Sequence, residues 1–439
     1  MTRVGARWAW LWVAAAAWLV HPAPAFAAEP SVAPRPPRAP VPTLSVLTFG
    51  PGDETFSKFG HDALWVHDPR QPPKRRDLVF NYGTFRFDSP WLVLTFLQGE
   101  LQYWLSVSSL DRTLATYRAA NRSVIAQELA LSDERALAIT AFLHENVKPE
   151  NAYYRYDYYR DNCATRIRDL LDGHMQGLLK AGSTGPGSMT YREHTRRLTV
   201  GSPVLFFALD LALGPLVDRP VSQWEEMFLP ARVEAKLAEL QGDTGAPLVR
   251  RRLPLFEAAR EAPLDAPPGF RWGWLAAGLA IGAALCASCR FEQRWARVST
   301  ALGLAVLGCA WGLLGLLLLV LWLLTDHEVV HWNQNVLLCP VWALSLPFLA
   351  RGFARSEPRP SGLMMRLVGA AAACALLALL LRLLPGSQHT GPALSFFVPQ
   401  WLSAGFSVWT RVGRPLPRWL APSRADQSPA SHPPAPVDP

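Results

Sequence analysis

From Trp272 onward the chain is dominated by apolar stretches, at roughly 272–289, 300–324, 336–350, 364–384 and 393–410. Segments of this kind must be buried in lipid or in other helices, because their surface gains nothing from water. Two are clear spanning helices by length; the third is short and carries Pro340 and Pro347. Arg290, Arg294 and Arg297 separate the first from the second, and Arg351, Arg355 and Arg359 separate the third from the fourth. Arg411, Arg414 and Arg418 follow the fifth. Alternate connections are therefore basic. That pattern predicts a cytoplasmic side for those three and an outside location for everything before Trp272.

The N-terminus agrees with this topology. Arg3 and Arg7 precede an apolar core from Trp8 to Val20, and Ala25-Phe26-Ala27 follows, the pattern of a secretory signal peptide over 1–27. Residues 28–42 are proline-rich and read as an extended linker. Residues 43–270 are long enough for one substantial core, residues 271–411 hold the membrane helices, and 412–439 read as a disordered cytoplasmic tail. Only 18% of the chain is charged, which fits a soluble domain joined to membrane segments. The net charge of +8 does not indicate a nucleic-acid partner, because only five of the 43 basic residues are lysine and the arginines cluster beside apolar spans.

Within 43–270, strand-like runs occur at Leu44–Phe49, Ala63–His67, Leu78–Tyr82, Leu101–Ser108 and Val124–Leu131. Helical patterns fit Leu114–Ala120, Asp133–Asn146, Cys163–Asp172 and Ala231–Gln241, with Ser132 as an N-cap. The mixture predicts an α+β domain, followed by an all-α membrane domain of about five helices.

Cysteine usage points to the chemistry. Cys286, Cys289, Cys309, Cys339 and Cys374 lie in or beside the apolar spans, which leaves Cys163 alone in the exported segment. A lone thiol outside the cell has no disulfide partner there and is a candidate nucleophile as well as a candidate buried structural residue. Asp161 or Asn162 can cap a helix that ends at Gly173, placing the thiol on the first turn. There the helix dipole is expected to lower its pKa, and free amides can contribute to an oxyanion hole. A base is then required. Among His61, His67, His144, His174 and His194, His61 stands out, because it opens a strand directly after Gly60, which would allow close approach to the imidazole. His144 and His174 sit on polar helix surfaces, and His194 lies among Arg192, Arg196 and Arg197, which disfavour its cationic form.

Phe59-Gly60-His61, Asn81-Tyr82-Gly83-Thr84-Phe85 and Asp161-Asn162-Cys163-Ala164-Thr165-Arg166 resemble the periplasmic domain of the Lnb-type bacterial lipoprotein N-acyltransferases. Leu211-Ala212-Leu213-Gly214-Pro215 with Asp218, and Glu226-Met227-Phe228-Leu229-Pro230, agree. So do Thr325-Asp326-His327 and Asn333-Gln334-Asn335-Val336-Leu337-Leu338 with Pro340 in the membrane part. The His-before-Cys order also resembles the permuted papain-like fold of NlpC-type hydrolases and lecithin:retinol acyltransferase. The resemblance implies a cysteine thioester mechanism that moves an acyl chain from a phospholipid donor to the N-terminal amine of a diacylated lipoprotein. The setting would be the bacterial inner membrane, with the catalytic domain facing the periplasm. Cys163 and His61 are the expected nucleophile and base, without a cofactor. Asn81, on the next strand, is the first candidate to orient His61, and His67 is the second. Tyr158, Tyr159, His327, Asn333 and Asn335 are candidate substrate contacts. The tyrosines Tyr153, Tyr154, Tyr156, Tyr158 and Tyr159 read equally as a strand packed on both faces.

One motif competes. His327-Glu328-Val329-Val330-His331 has the H-E-x-x-H spacing of zinc proteases. His389 is the best third ligand on offer, and Trp332-Asn333-Gln334-Asn335 does not continue a helix, so no metal is expected. A polar cluster at the outer membrane face, contacting either headgroups or the catalytic domain, is the preferred reading. Two other function classes share the same residues: a membrane-bound cysteine hydrolase acting on phospholipid or peptidoglycan, and a non-catalytic membrane scaffold.

Overall fold

The computed structural model describes residues 39–86, 95, 99, 101–242, 245–289, 291–354 and 361–411. The expected signal peptide, most of the linker, Arg290, Arg355, Arg359, Arg414, Arg418 and the expected tail lie outside those residues.

Seven strands form one antiparallel sheet: β1 Thr43–Phe49, β2 His61–His67, β3 Asp77–Thr84, β4 Gln102–Ser109, β5 Val124–Leu129, β6 Tyr153–Arg155 and β7 Val249–Phe256. Their order across the sheet is β6-β4-β3-β2-β1-β5-β7. The central strands are covered on both sides, which explains why β1 is buried at nearly every position instead of alternating. On one face Leu44, Val46, Leu64, Phe80 and Leu105 pack under helices α2 (Asp133–Asn146), α3 (Cys163–His174) and α6 (Pro230–Glu239). On the other, Leu47, Phe49, Ala63 and Val79 pack under α1 (Leu110–Ala119). Ser132 caps α2 as expected, its hydroxyl accepting from the Arg135 amide. The edge strands escape pattern reading for physical reasons. β6 is three residues long, and β7 carries Arg250, Arg251 and Arg252 on an exposed edge, where charge and not alternation protects it.

Two helices absent from the sequence reading, α4 (Tyr191–Thr199) and α5 (Pro203–Ala212), lead to the membrane part. Its segments are α7 (Trp272–Ser288), α8 (Arg294–Leu324), a run of short turns over 334–354, α9 (Gly362–Leu381) and α10 (Gly391–Arg411). Arg294–Leu324, Gln334–Phe353 and Gly362–Leu381 are long and apolar enough to cross a membrane. α7 has only 17 residues, and α10 carries Pro399 and Gln400 at its middle. Pro340 and Pro347 break the third segment into 3-10 and α pieces, since each removes a donor from the helical ladder.

The end of α5 is where the two parts join. A helix C-terminus leaves its last carbonyls without partners. Here the Arg192 guanidinium donates to the carbonyls of Asp210, Leu213 and Gly214 and to the Asp218 carboxylate. Asn333 and Asn335 donate to the Leu211 carbonyl, Asn333 also to Ala212, and Gln388 to Leu213. The Gly214 amide donates to the Val329 carbonyl, and a Cβ at Gly214 would collide with the His331 carbonyl oxygen, so no larger residue fits. Phe207 on α5 packs on Trp274 and Phe396 of the membrane helices. The connections at 271, 325–335 and 388–390 therefore meet the α+β domain, whereas Arg411, Ser288 and Phe291 gather at the opposite end.

Arg192 is 1% exposed, and its removal takes the guanidinium from the buried Asp218 carboxylate and from the Asp210, Leu213 and Gly214 carbonyls, while the Asp210 carboxylate keeps Arg196. Arg192→Met is expected to destabilise the protein by about 3–5 kcal/mol, read as a lowered unfolding midpoint of the full chain in detergent. Surface changes such as Arg250→Met are expected to stay within about 0.5 kcal/mol.

Candidate active site

Each residue of the Asp161–Arg166 block has a structural duty. Asn162 is the N-cap of α3: its carbonyl oxygen Oδ1 accepts from the Ala164 and Thr165 amides, both at 2.9 Å. Thr165 Oγ1 accepts in return from the Asn162 amide at 2.7 Å, completing a capping box. The Asn162 side-chain nitrogen donates to the Tyr158 and Phe228 carbonyls, which locks the cap to the loop before α6. Asp161 and Arg166 form a bidentate pair at 2.5 and 2.6 Å. The result is a thiol on the first residue of a helix whose start cannot slide.

This cap alters one expectation. The Ala164 and Thr165 amides are taken by Asn162, so they do not supply an oxyanion hole. The Cys163 amide stays outside the cap and is the candidate donor. The electrostatics differ too. Cys163 is 6% exposed, and burial pushes its thiol up to about 12, with the Asp62 carboxylate as a second cause. Hydrogen bonds from the Asp62 and Ala164 backbones and the Tyr156 side chain oppose the rise without cancelling it. The helix start is thus outweighed by desolvation.

His61 lies opposite Phe49 in the β1–β2 register, and the two rings stack at 5.7 Å. Gly60 enters β2 with φ +84°, and a Cβ there would meet the Phe49 carbonyl at 2.9 Å. The glycine therefore serves the turn and the close approach of backbone, and it also lines the chamber of His61 and Cys163. His61 Nε2 lies 3.3 Å from Asn81 Oδ1. With Nε2–H donating to Asn81, Nδ1 is the basic nitrogen. Burial, then the charge of Arg122, lower the imidazole to about 4, against the hydrogen bond to Asn81. His67 sits six residues along the strand and is held by Asp77 at 2.7 Å, so it is at the wrong end of β2 to orient His61.

His61, Asn81 and Cys163 line one chamber of about 360 Å³, together with Tyr103, Tyr156 and Tyr158. Its other wall is polar, from Ser106 and Ser108 on β4, Arg112, Thr113 and Thr116 on α1, and Arg122. Tyr103, Tyr156 and Tyr158 also line a second cavity of about 360 Å³, which is almost wholly apolar. That cavity is closed by Leu205, Leu209 and Ala212 of α5 and by Leu321 and Val330 at the top of α8 and the loop beyond it. The tyrosines are both structural and cavity-lining: Tyr156 stacks on Tyr103 at 4.3 Å, and Phe59 meets Tyr158 edge-on.

The remaining candidates divide. Tyr158 borders both cavities; Tyr159 and His327 border the apolar one. Asn333 and Asn335 are 1% and 0% exposed, and their amides are spent on the end of α5. Their expected role as substrate contacts gives way to that of a joint between the two parts. The H-E-x-x-H stretch is not an α-helix; Glu328–Val330 is a single 3-10 turn. Its two histidines do not share a helical face, Glu328 pairs with Arg160, and His331 Nε2 bonds to the Thr325 carbonyl. Among the described residues no group of three His, Cys, Asp or Glu is assembled to hold a metal. His194 is fully buried between Glu226 at 2.8 Å and Arg197 at 3.0 Å, and burial then Arg197 lower it, so it stays neutral.

Three groups at the site carried no signal in the sequence. Arg122, Tyr117 and Asp62 come from separate elements, and only the folded sheet gathers them. Asp62, on the sheet face under α3, has neither carboxyl oxygen paired, and burial raises it to about 8.

No curated protein and no solved structure matches the chain. Residues 39–197, from β1 through β6 to α4 and including His61, Asn81 and Cys163, match the family model of the Lnb N-terminal periplasmic domain, so this membrane protein carries a periplasmic domain similar to that of the Lnb family.

Proposed function

We propose that the protein is a lipoprotein N-acyltransferase of the bacterial inner membrane. The observation that carries this reading is the shared aromatic wall: the chamber holding Cys163 and His61 adjoins an apolar cavity bounded by the first residues beyond a membrane helix. An acyl chain leaving the bilayer would occupy the apolar cavity and present its ester carbonyl to the thiol. A cell-wall hydrolase has no use for such a cavity, and a scaffold has no use for an oriented Cys–His–Asn set.

His61 Nδ1 takes the thiol proton as Cys163 Sγ attacks the ester carbon. The Cys163 amide donates to the developing oxyanion, and collapse expels the glycerol oxygen, which takes the proton from His61. The products are a lysophospholipid and a Cys163 thioester. The α-amine of a diacylglyceryl-cysteine then attacks the thioester carbon, His61 accepts the amine proton, and the thiolate leaves and recovers it. The amide formed is more stable than the thioester, which draws the sequence forward. The signal peptide and a cytoplasmic location for Arg294, Arg297, Arg351 and Arg411 belong to the same reading.

Mass spectrometry of a reporter lipoprotein's N-terminal peptide, from cells lacking their own N-acyltransferase, tests the reading. The protein is expected to add one acyl group to the amine, Cys163→Ala to lower the rate by about 10⁴-fold or more, and Asn81→Ala by about 10- to 100-fold. A peptide that stays diacylated while lysophospholipid accumulates would make the protein a hydrolase instead.

The acid–base state gives a second test. With the thiol near 12 and the imidazole near 4, the resting pair is neutral between those values. Alkylation of Cys163 by iodoacetamide is expected to rise about tenfold per pH unit from about pH 6 to 10. A rate plateau across that range would reveal a preformed thiolate–imidazolium pair. Thioester formation, the half-reaction without the amine, should lose rate in acid only where His61 gains a proton, below about pH 5.

Cavity length is tested by Leu209→Trp. The added bulk should lower kcat/KM for palmitoyl donors by about fourfold for each methylene it displaces, with hexanoyl donors little affected. An equal loss on both chain lengths would remove the acyl chain from that cavity.

A further inference from the structure

Arg122 enters the chamber with an unmet charge. It is 9% exposed; its Nε donates to the Gly50 carbonyl at 2.8 Å, and its guanidinium lies 4.8 Å from the Tyr117 ring centre. Nη2 is buried and has no hydrogen-bond partner, and no carboxylate pairs with the group among the described residues. A buried cation in this state is costly unless an anion completes it. Burial disfavours its charge, the acidic groups of Tyr117 and Cys163 favour it, Arg260, itself paired with Asp53, repels it, and Arg112 lines the same chamber. Ser106, Ser108, Thr113 and Thr116 line the same chamber, and three of its tyrosines also line the apolar cavity.

We propose that Arg122 is the phosphate-recognition residue of the donor site, its guanidinium binding the phosphodiester of a glycerophospholipid while Cys163 attacks the ester. The inference rests on the acyltransfer reading for its donor, and on the unpaired guanidinium for its chemistry. A planar guanidinium with two free N–H directions matches two phosphate oxygens, which lysine cannot do. The chamber that holds the thiol thus offers polar groups for the phosphate, and the apolar cavity that shares its tyrosines offers room for the acyl chain of the same lipid. Arg122 thus selects the donor and fixes which way round it enters.

The test uses the full chain in detergent and two donors with identical chains, dioleoylphosphatidylglycerol and dioleoylglycerol. Thioester formation at Cys163 is followed by intact-protein mass spectrometry. The wild type is expected to favour the phospholipid by about 10- to 100-fold, and Arg122→Gln to bring the ratio close to one. Arg122→Lys should keep an intermediate preference, and it serves if the glutamine variant does not fold. An equal loss on both donors would overturn the proposal and assign Arg122 to the thiol instead.

A second measurement separates this claim from the acyltransfer reading. sn-Glycerol 3-phosphate should slow iodoacetamide alkylation of Cys163 in the wild type and leave it unchanged in the Arg122 variants. Should neither donor acylate Cys163, the transferase reading fails while this protection still decides the phosphate site. No protection in the wild type overturns it.

Discussion

One buried guanidinium, Arg192, holds the architecture. It reaches the carbonyls of Asp210, Leu213 and Gly214 and the carboxylate of Asp218, all around the end of α5. A helix end offers carbonyls that no amide of its own helix can satisfy, and here the membrane part satisfies the others through Asn333, Asn335 and Gln388. Both halves of the protein thus compete for nothing and share one set of acceptors. Gly214 makes that sharing possible by admitting the 329–331 backbone against its own. Because α5 also walls the apolar cavity, the joint that fixes the domain on the membrane helices also fixes the cavity beside the thiol.

The site is governed by desolvation more than by the helix dipole. A dipole at a helix start contributes on the order of 1 kcal/mol or less at exposed positions, whereas full burial of a thiolate shifts its pKa by several units. At Cys163 the second effect wins, and the same burial drives His61 down. The consequence is a thiol and an imidazole that both rest neutral. On the proposed reading, such a thiol becomes nucleophilic only when an ester carbon is presented to it with His61 as the base.

What could be read from the chain was whatever depends on neighbours in sequence. The cap of α3 was legible because Asn162 and Thr165 act within one turn, and both ends of α2 because Ser132 and the apolar spacing are local. His61 and Asn81 were legible through the family resemblance, on adjacent strands whose pairing brings the two to 3.3 Å. Arg122 was not: its signal is the absence of a partner, which exists only after Gly50 and Tyr117 have closed around it. For Asn333 and Asn335 the choice between headgroups and the catalytic domain was open for the same reason, until the end of α5 is seen to claim their side-chain N–H groups. The H-E-x-x-H spacing carries meaning only on an α-helix, and the emerging chain makes a 3-10 turn instead.

On the proposed reading, desolvation also explains why one site can run both half-reactions. The first requires a thiol that gives up its proton only in the transition state, and the second requires an α-amine that arrives without its proton. Moving either group from water into the chamber disfavours its charged form: the thiolate relative to the thiol, and the ammonium relative to the amine. The environment that weakens Cys163 as a free nucleophile thus prepares the acceptor. His61, lowered by the same cause, is unprotonated for both proton abstractions. Water entering in place of the amine gains nothing from this shift, because it is already neutral. The burial that seems to handicap the nucleophile therefore biases the thioester toward an amine acceptor.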